Sequence, residues 1–568
     1  MSARSFVLNL LTVFALLINT LPTPRTVQAA PTRAVEDVVI TEEPDTLPSA
    51  WTAKRVGRTT WGSEAWLPVL WHEEAQSARA WLIPGFGPLA AGNDVTITSD
   101  TTWYSDTVEI GDLSIVNSAT LTLAGASGTH LTVDDLSIAS GAGLAVSGTA
   151  IITAANATVE AGASLAADGL GYGASAGPGQ GTDGVMAYKQ AGGGGHGGWG
   201  GEGAGGYAGG QPYDDLYEPL MMGSGGGDTG SSSGGAGGGA FQLVVSGTLA
   251  VSGTLSANGL AGDSSDFRAG GGGAGGSIWI EAGTFTGDGV VRADGDDGGE
   301  TKYDSAYGRG GGGAGGRVAV YADQDDFSGT LQARGGDGEQ VGGAGTVYVR
   351  GASGLGTLYV DNGDEQGASA GLLAGAYEFE DLQLTGAGDL TVISSTSVLT
   401  LSNGAFGGDG SGRLAVQGTI AAPASFTISG TLLAVQGRLS GATAITTTGG
   451  GGLELWASTP WHTGVYTLGS FYVGDGTTLR LVPHVTANGV FSDDLGVELQ
   501  LEHMTVASGG LVEADGLGYG ASEGPGAGTD GVDGYEQAGG GGHGGWGGEG
   551  AGGYAGGQPY DDLYEPEL

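Results

Sequence analysis

The chain has 568 residues, of which 123 are glycine and none is cysteine, and its formal net charge is −44. So acidic a chain repels nucleic acids and anionic membranes, and the absence of cysteine excludes disulfides, thiol catalysis and cysteine metal sites. Glycine at this level is typical of low-complexity chains. However, long segments alternate Leu, Val and Ile with Ser and Thr, which predicts β-strands.

Residues 1–29 have the pattern of an export signal. Arg4 provides a basic start, residues 6–18 form an apolar stretch too short for an ordinary membrane span, and small residues precede a cleavage point after Ala29. A buried strand or an uncleaved anchor is the alternative. We therefore expect a secreted protein, and an exported chain without cysteine is more typical of bacteria than of small eukaryotic secreted domains.

Residues 30–92 are rich in tryptophan and poor in glycine, unlike the rest of the chain. The tryptophans are Trp51, Trp61, Trp66, Trp71 and Trp81. We interpret this segment as an N-terminal cap, because the first turn of a stacked β-structure must be covered. A carbohydrate-binding role for the tryptophans is the alternative.

From residue 93 the chain repeats short alternating runs separated by Gly, Asn, Asp and Ser. The string DLSI occurs at 112–115 and again at 135–138, and no stretch has a helical period. Short strands of this kind fit a sandwich, a barrel or a β-solenoid. The recurrence at the length of one turn favours the solenoid, which we assign to 93–360 and, in continuation, to 361–516.

A second motif, [LV]-x-A-[DNR]-G, ends several of these runs. It occurs at 165–169, 255–259, 291–295, 331–335 and 512–516. The apolar residue and the alanine face one side of a strand, and the following residues suit a turn. After four of these motifs the chain makes a glycine-rich excursion and returns with a strand, so we predict that the excursions are loops between successive turns of the solenoid.

The longest excursion is written twice. Residues 167–219 recur at 514–566 with five substitutions, and 103–123 has a fainter counterpart at 461–481. The second copy stops where the first continues into a strand. We therefore expect 517–568 to be a truncated loop of a second unit.

Aromatic residues in the long excursion have two interpretations. Trp199, Tyr207, Tyr213 and Tyr217 could anchor the loop on the solenoid, or could form a contact surface for glycan or protein. His196 stands alone and lacks the partners that a metal site needs. The glycine runs are not phosphate loops, because no Gly-Lys-Ser/Thr sequence and no following helix accompanies them.

Acidic clusters suggest one candidate cation site. Asp294, Asp296 and Asp297 lie in a turn-rich DGDDGG segment and are the best candidates for calcium, the one cofactor that we consider. A solvated acidic face is the alternative. Paired carboxylates could also cleave polysaccharides, but no acid, base and basic residue converge in one predicted turn.

The series from YDDLYEPLMMGSGGG at 213–227 to AGTVYV at 344–349 resembles the glycine-rich repeat of large bacterial surface and secreted β-helix proteins. The resemblance covers about 93–360 and the chain from about 450 to its end. It implies a right-handed parallel β-helix in an extracellular setting and defines no catalytic residue.

Together these features predict an exported, non-enzymatic surface, adhesion or matrix protein: a stiff β-solenoid with a glycine-rich contact flank, binding an extracellular glycan or surface protein. A polysaccharide-acting β-helix enzyme and a passive stalk of a larger protein are the alternatives.

Limited proteolysis should separate the two copies of the excursion. We expect early cleavage near Tyr554–Tyr564, where no strand follows in the chain, and later cleavage at the same letters near Tyr207–Tyr217. Mass spectrometry of the fragments measures both rates. Equal rates would show that the returning strand does not order the loop.

Overall fold

The computed structural model describes residues 92–184, 190–302, 308–402, 405–457, 464–486, 494–519 and 522–528, with positions 538, 541, 543, 547, 548 and 555–559. The predicted signal peptide, the Trp-rich segment and most of the truncated loop lie outside these residues. The predicted all-β class is confirmed, since the described residues form strands and turns and no helix. Accordingly, nothing in the described part of the chain qualifies as a membrane-spanning helix.

The first half of the described chain contains eighteen strands. They are β1 (Val95–Ile97), β2 (Thr101–Trp103), β3 (Thr107–Glu109), β4 (Leu113–Ile115), β5 (Thr120–Leu123), β6 (Thr129–Thr132), β7 (Asp135–Ile138), β8 (Gly143–Val146), β9 (Thr149–Ala154), β10 (Asn156–Val159), β11 (Ser164–Ala166), β12 (Ala240–Val251), β13 (Thr254–Ser256), β14 (Ser277–Gly287), β15 (Val290–Arg292), β16 (Arg317–Phe327), β17 (Thr330–Gln332) and β18 (Thr346–Arg350).

The second half adds sixteen. They are β19 (Thr357–Asp361), β20 (Ala370–Leu372), β21 (Ala376–Phe379), β22 (Asp381–Thr385), β23 (Asp389–Val392), β24 (Val398–Leu401), β25 (Ala405–Val416), β26 (Thr419–Ala421), β27 (Ser425–Val435), β28 (Arg438–Ser440), β29 (Ala444–Thr448), β30 (Gly452–Trp456), β31 (Val465–Val473), β32 (Thr478–Val482), β33 (Glu498–Val506) and β34 (Leu511–Glu513).

These strands stack in parallel columns, and one strand from each column makes a rung. In the first stack, one column runs through β1, β4, β7 and β10, a second through β2, β5, β8 and β11, and a third through β3, β6 and β9. The long strand β12 joins two of these columns, since its first half pairs with β9 and its second half with β10, and β14 and β16 continue both columns. The second stack repeats this arrangement, and its three columns start with β19, β20 and β21, which pair in parallel with β22, β23 and β24.

The core follows directly from alternation along each strand. Leu113, Leu136, Ala157, Leu249 and Phe285 occupy one register position on successive strands, and all are buried. Their neighbours in sequence point to the other side. Burying each large apolar side chain contributes about 1.5–3 kcal/mol, so each rung is stabilised mainly by the rungs above and below it.

Strand direction reverses where the two stacks meet. Strand β18 pairs antiparallel with β19, and Tyr348 lies opposite Leu358. The two sides of β18 serve different cores: Val347 belongs to the core of the first stack, whereas Tyr348 and Leu358 belong to that of the second. The core thus changes sides of the shared sheet at the point where the strands change direction.

The glycine-rich excursions are packed against one another, and together we call them the glycine array: 191–203, 223–239, 257–263, 270–276, 293–299, 310–316 and 335–345. Segment 310–316 shows how they pack. Its successive N–H groups donate in rotation to three neighbouring segments, so every third residue donates to the same neighbour. Gly310, Gly313 and Gly316 donate to carbonyls in 293–299, Gly311 and Ala314 to carbonyls in 191–194, and Gly312 and Gly315 to carbonyls in 340–343. Three residues per turn is the period of a polyproline II helix.

Segment 270–276 repeats this pattern. Every third residue donates to carbonyls in 257–263, and the other two sets donate to carbonyls in 224–227 and 311–314. The segments therefore form a bundle held together by backbone hydrogen bonds, each contributing about 0.5–1.5 kcal/mol net. These hydrogen bonds offset the large entropy loss of ordering glycine, which apolar burial alone could not do.

Close backbone contact makes glycine obligatory inside the array. A Cβ on Gly312 would overlap the carbonyl of Gly336, and a Cβ on Gly271 would overlap that of Gly192. Most of these glycines are buried. The excursions are thus ordered structure with a buried backbone, and only the rim of the array can meet a partner.

Replacing one glycine should test this packing. We expect Gly312→Ala to lower the free energy of unfolding by about 1–3 kcal/mol, because its Cβ would overlap backbone that cannot move aside. Gly173→Ala is the matched control, since its Cβ would have no atom within 4 Å. Denaturant unfolding measures both variants. Equal stabilities would contradict close packing of the array.

Candidate functional site

A buried polar cluster joins the long excursion to the stacked strands, and we call it the clamp: His196, Tyr213, Asp214, Ser277 and Arg317. His196 and Asp214 come from the excursion, whereas Ser277 and Arg317 begin strands β14 and β16. His196, Ser277 and Arg317 are almost completely buried. Buried polar groups of this kind require partners, and each of them has several.

The histidine and the aspartate meet at one edge. His196 Nδ1 lies 2.8 Å from the carbonyl of Gly275, and its Nε2 lies 3.4 Å from Asp214 Oδ2. The same Oδ2 accepts hydrogen bonds from the Ser277 hydroxyl at 3.0 Å and from the N–H of Met221 at 2.9 Å. One carboxylate oxygen thus joins two parts of the excursion to strand β14.

The charge of Asp214 is stabilised within this cluster. Burial acts to raise the pKa of Asp214, but the hydrogen bond and charge of His196, together with the N–H of Met221 and the charge of Arg317, lower the pKa below its ordinary value. Desolvation is therefore overcome by specific partners, as in other buried carboxylates that keep their charge. The aspartate holds its neighbours as an anion.

Arg317 is the second half of the clamp. Its Nε donates to the carbonyl of Tyr213 at 3.0 Å, its Nη1 to Thr346 Oγ1 at 3.1 Å and its Nη2 to the carbonyl of Gly371 at 3.0 Å. Burial lowers the pKa of this guanidinium, and the charge of Asp214 opposes that effect. One side chain thus connects the excursion, strand β18 and the second stack.

The clamp does not have the geometry of a nucleophilic triad. A triad needs its serine and its acid on different ring nitrogens of the histidine, and substrate must reach the serine. Here Ser277 Oγ and Asp214 Oδ2 both approach Nε2, at 3.5 and 3.4 Å, while Nδ1 faces a carbonyl. Ser277 is also buried. The arrangement holds chain segments together.

Two of the four aromatic residues considered in the excursion act as anchors. Tyr213 is buried, and its hydroxyl donates to the carbonyl of Met222 at 2.5 Å. Tyr217 packs with its ring centroid 4.9 Å from that of Tyr348. Trp199 and Tyr207 are half-buried. Tyr213 therefore contributes no ring to an outer surface, and anchoring is the interpretation that its contacts favour.

The acidic residues considered for calcium bind backbone and side-chain groups of the protein. Asp294 accepts hydrogen bonds from the N–H of Arg334 at 2.8 Å and from Gln332 at 2.6 Å. Asp297 accepts from the N–H of Asp337 at 2.8 Å. Within the described residues no group of three His, Asp or Glu could hold a metal ion. The calcium site remains a prediction that no contact supports.

Asp294 instead has a repeated structural role. The variable position of the [LV]-x-A-[DNR]-G motif forms a ladder, in which Asp168 accepts from the N–H of Asn258 at 2.7 Å, Asn258 from that of Asp294 at 2.9 Å, and Asp294 from that of Arg334. Each side chain thus ties its rung to the next. Burial raises the pKa of Asp294, partly opposed by these hydrogen bonds.

Sequence reasoning missed Ser277 and Arg317. Their signal lies in the position that follows each glycine run: Ala240, Ser277, Arg317 and Thr346 are in register on successive strands. The first of these four residues is apolar and the other three are polar. Polar side chains at a buried position of this kind indicate that they have a buried partner. The partner itself, in the distant excursion, leaves no local pattern.

Comparison with protein-family models, with curated proteins and with solved structures found no match for this chain. The functional assignment therefore depends on the geometry of the chain itself.

The clamp predicts a specific acid sensitivity. The pKa of Asp214 is lower in the folded chain than in the unfolded chain, where it is about 3.9. Its carboxylate therefore stabilises the fold above that pH, and this stabilisation is lost as the pH falls through the pKa of the folded chain. We expect Asp214→Asn to lower the free energy of unfolding at pH 7. As the pH falls from about 5 to about 2, the variant should then lose less of this free energy than the wild type. Denaturant unfolding at each pH measures the difference. Parallel curves for wild type and variant would contradict the proposed charge on Asp214.

Proposed function

We propose that this chain is a secreted, non-enzymatic surface, adhesion or matrix protein that works as a stiff scaffold. The observation that carries the proposal is the unbroken parallel register of the columns, for instance from Val95 in β1 through Leu113 and Leu136. A ladder of backbone hydrogen bonds along the stack resists both bending and extension. The acidic charge and the predicted export signal fit an extracellular setting.

We further propose that the rungs close into a right-handed parallel β-helix. Three columns surround one apolar core in the first stack, which is the cross-section that such a helix requires. Right-handed crossover is the strong preference for parallel strands. At β18 and β19 both the strand direction and the side that faces the core reverse. Two such reversals cancel, so the chain would wind around its core with the same handedness in both stacks. The resemblance to glycine-rich β-helix surface proteins points the same way.

The glycine array adds stiffness on one flank. It connects successive rungs by backbone bonds beyond those of the strands, and the clamp fixes the long excursion to β14 and β16. A partner, whether a glycan or a surface protein, would meet the rim of the array or the exposed side chains of the rungs. The passive stalk of a larger protein would use the same stiffness without a partner.

Mechanical unfolding tests the scaffold. Pulled from its two ends in single-molecule force spectroscopy, the mature protein should unfold in successive steps. Each step should release one rung at up to about 3.3–3.6 Å per residue, because each rung is held mainly by its neighbours. Arg317→Met should lower the force for the steps that involve the clamp. Extension without measurable resistance would contradict the proposal that the protein resists a pulling force.

An activity assay separates the scaffold from the polysaccharide-acting alternative. The pure protein should release neither reducing nor unsaturated ends from neutral or anionic polysaccharides. Release that persists after repurification and disappears on substitution of a carboxylate would establish an enzyme instead.

A further inference from the structure

A cleft of about 490 Å³ lies on the second stack, beside strands β23, β25, β27, β30 and β32. Residues that matter for its chemistry are Asp389, Ser411, Arg413, Thr431 and Thr478. Asp389 and Arg413 are in register on adjacent strands, and the same register position continues to Thr478. With strands about 4.8 Å apart, the cleft runs along the stack for roughly 19 Å.

Missing side chains create the cleft. Gly410 lines it at the irregularity within β25, and Gly450 and Gly476 line it at the turns before β30 and β32, with φ of +102°, +80° and +67°. Positive φ favours glycine at each of these positions, and a Cβ at any of the three would meet no atom within 4 Å. The space over these positions is therefore open, and it is bounded by backbone and by polar side chains.

Two charged groups in the cleft are only loosely paired. Asp389 Oδ2 lies 3.6 Å from Arg413 Nη1, and Arg413 Nη2 lies 3.9 Å from Glu454 Oε2. Both distances exceed a normal hydrogen bond. Asp389 Oδ1 is buried, but the Asp389 side chain as a whole is 27 % exposed, so Oδ2 is the carboxylate oxygen that a molecule in the cleft can reach. Because its ion pair with Arg413 is loose, Oδ2 can accept a hydrogen bond from a bound molecule.

We propose that this cleft binds a neutral, extended glycan. Hydroxyl groups can donate to Asp389 Oδ2 and accept from Arg413, while Ser411 and Thr478 offer further hydroxyl partners along the cleft. The chain's charge of −44 disfavours a polyanion. A groove several strands long with one open side fits a linear chain of sugars better than a small metabolite.

The same lining favours binding over cleavage. Among the described residues that line the cleft, Asp389 is the one carboxylate. Hydrolysis by acid and base catalysis needs two carboxyl groups on opposite sides of the bond. Burial raises the pKa of Asp389, and Arg413 opposes that change. This proposal names a ligand class for the proposed scaffold and rests on its stack of rungs.

Calorimetric titration with neutral hexasaccharides tests the proposal, using cellohexaose, maltohexaose and laminarihexaose against the mature protein, with hexagalacturonate as the anionic comparison. We expect at least one neutral probe to bind with a Kd of 1 mM or tighter (an order-of-magnitude figure). Asp389→Asn should weaken that binding about tenfold or more, which corresponds to about 1.4 kcal/mol.

Two matched glycine variants keep the test independent of Asp389. Gly450→Asn places a side chain in the cleft at a position with φ of +80° and no atom near its Cβ, and it should abolish binding. Gly206→Asn has the same φ and the same open space in the long excursion, and it should leave binding unchanged. Circular dichroism and melting curves confirm that each variant is folded.

Three results would overturn the glycan site. They are no binding of any neutral probe, tighter binding of hexagalacturonate, or binding that survives Gly450→Asn. None of them bears on mechanical resistance, so failure of the glycan site and failure of the scaffold remain distinguishable.

Discussion

Backbone-to-backbone hydrogen bonding, made without the help of side chains, is the constraint on which the rest of this structure depends. In the columns it takes the ordinary form of a parallel ladder, and apolar side chains then fill the interior. In the glycine array it takes a threefold form, in which segments 270–276 and 310–316 each bond to three neighbours. Both forms pair buried peptide groups with one another, which is the condition for burying so much irregular chain.

The clamp and the motif ladder show how side chains are used in such a structure. Arg317, Asp214 and Asp294 are charged, yet each is directed at backbone groups of a neighbouring rung or segment. Their cost of desolvation is offset by several hydrogen bonds each. These charged side chains therefore hold neighbouring rungs and segments in alignment. In the cleft over β25 and β27, by contrast, a charged pair is loosely satisfied and has room beside it.

Alternation along the strands predicted the all-β class, and the [LV]-x-A-[DNR]-G motif correctly marked rung ends, because both depend on neighbours in sequence. The array was harder to predict, since glycine carries no periodic signal and its partners lie in other excursions. The change of core side at Val347 and Tyr348 was hidden for a related reason: alternating residues look the same whichever face is buried. The clamp joins the excursion to strand residues 63 to 104 positions away, and the cleft consists of absent side chains.

The overlap that any Cβ would create in the array has a consequence for how such a protein can evolve. Most glycines of the array cannot be replaced by another residue without a backbone overlap. The sequence can therefore change at the residues between them or by copying a whole segment. The chain bears the mark of the second route. A 53-residue segment stands in it twice, and the five positions that differ, Ala176, Gln180, Met186, Ala187 and Lys189 in the first copy, all lie outside the array segments. Duplication thus supplies a ready-made strip of array, and 191–203 recurs at 538–550 without a change.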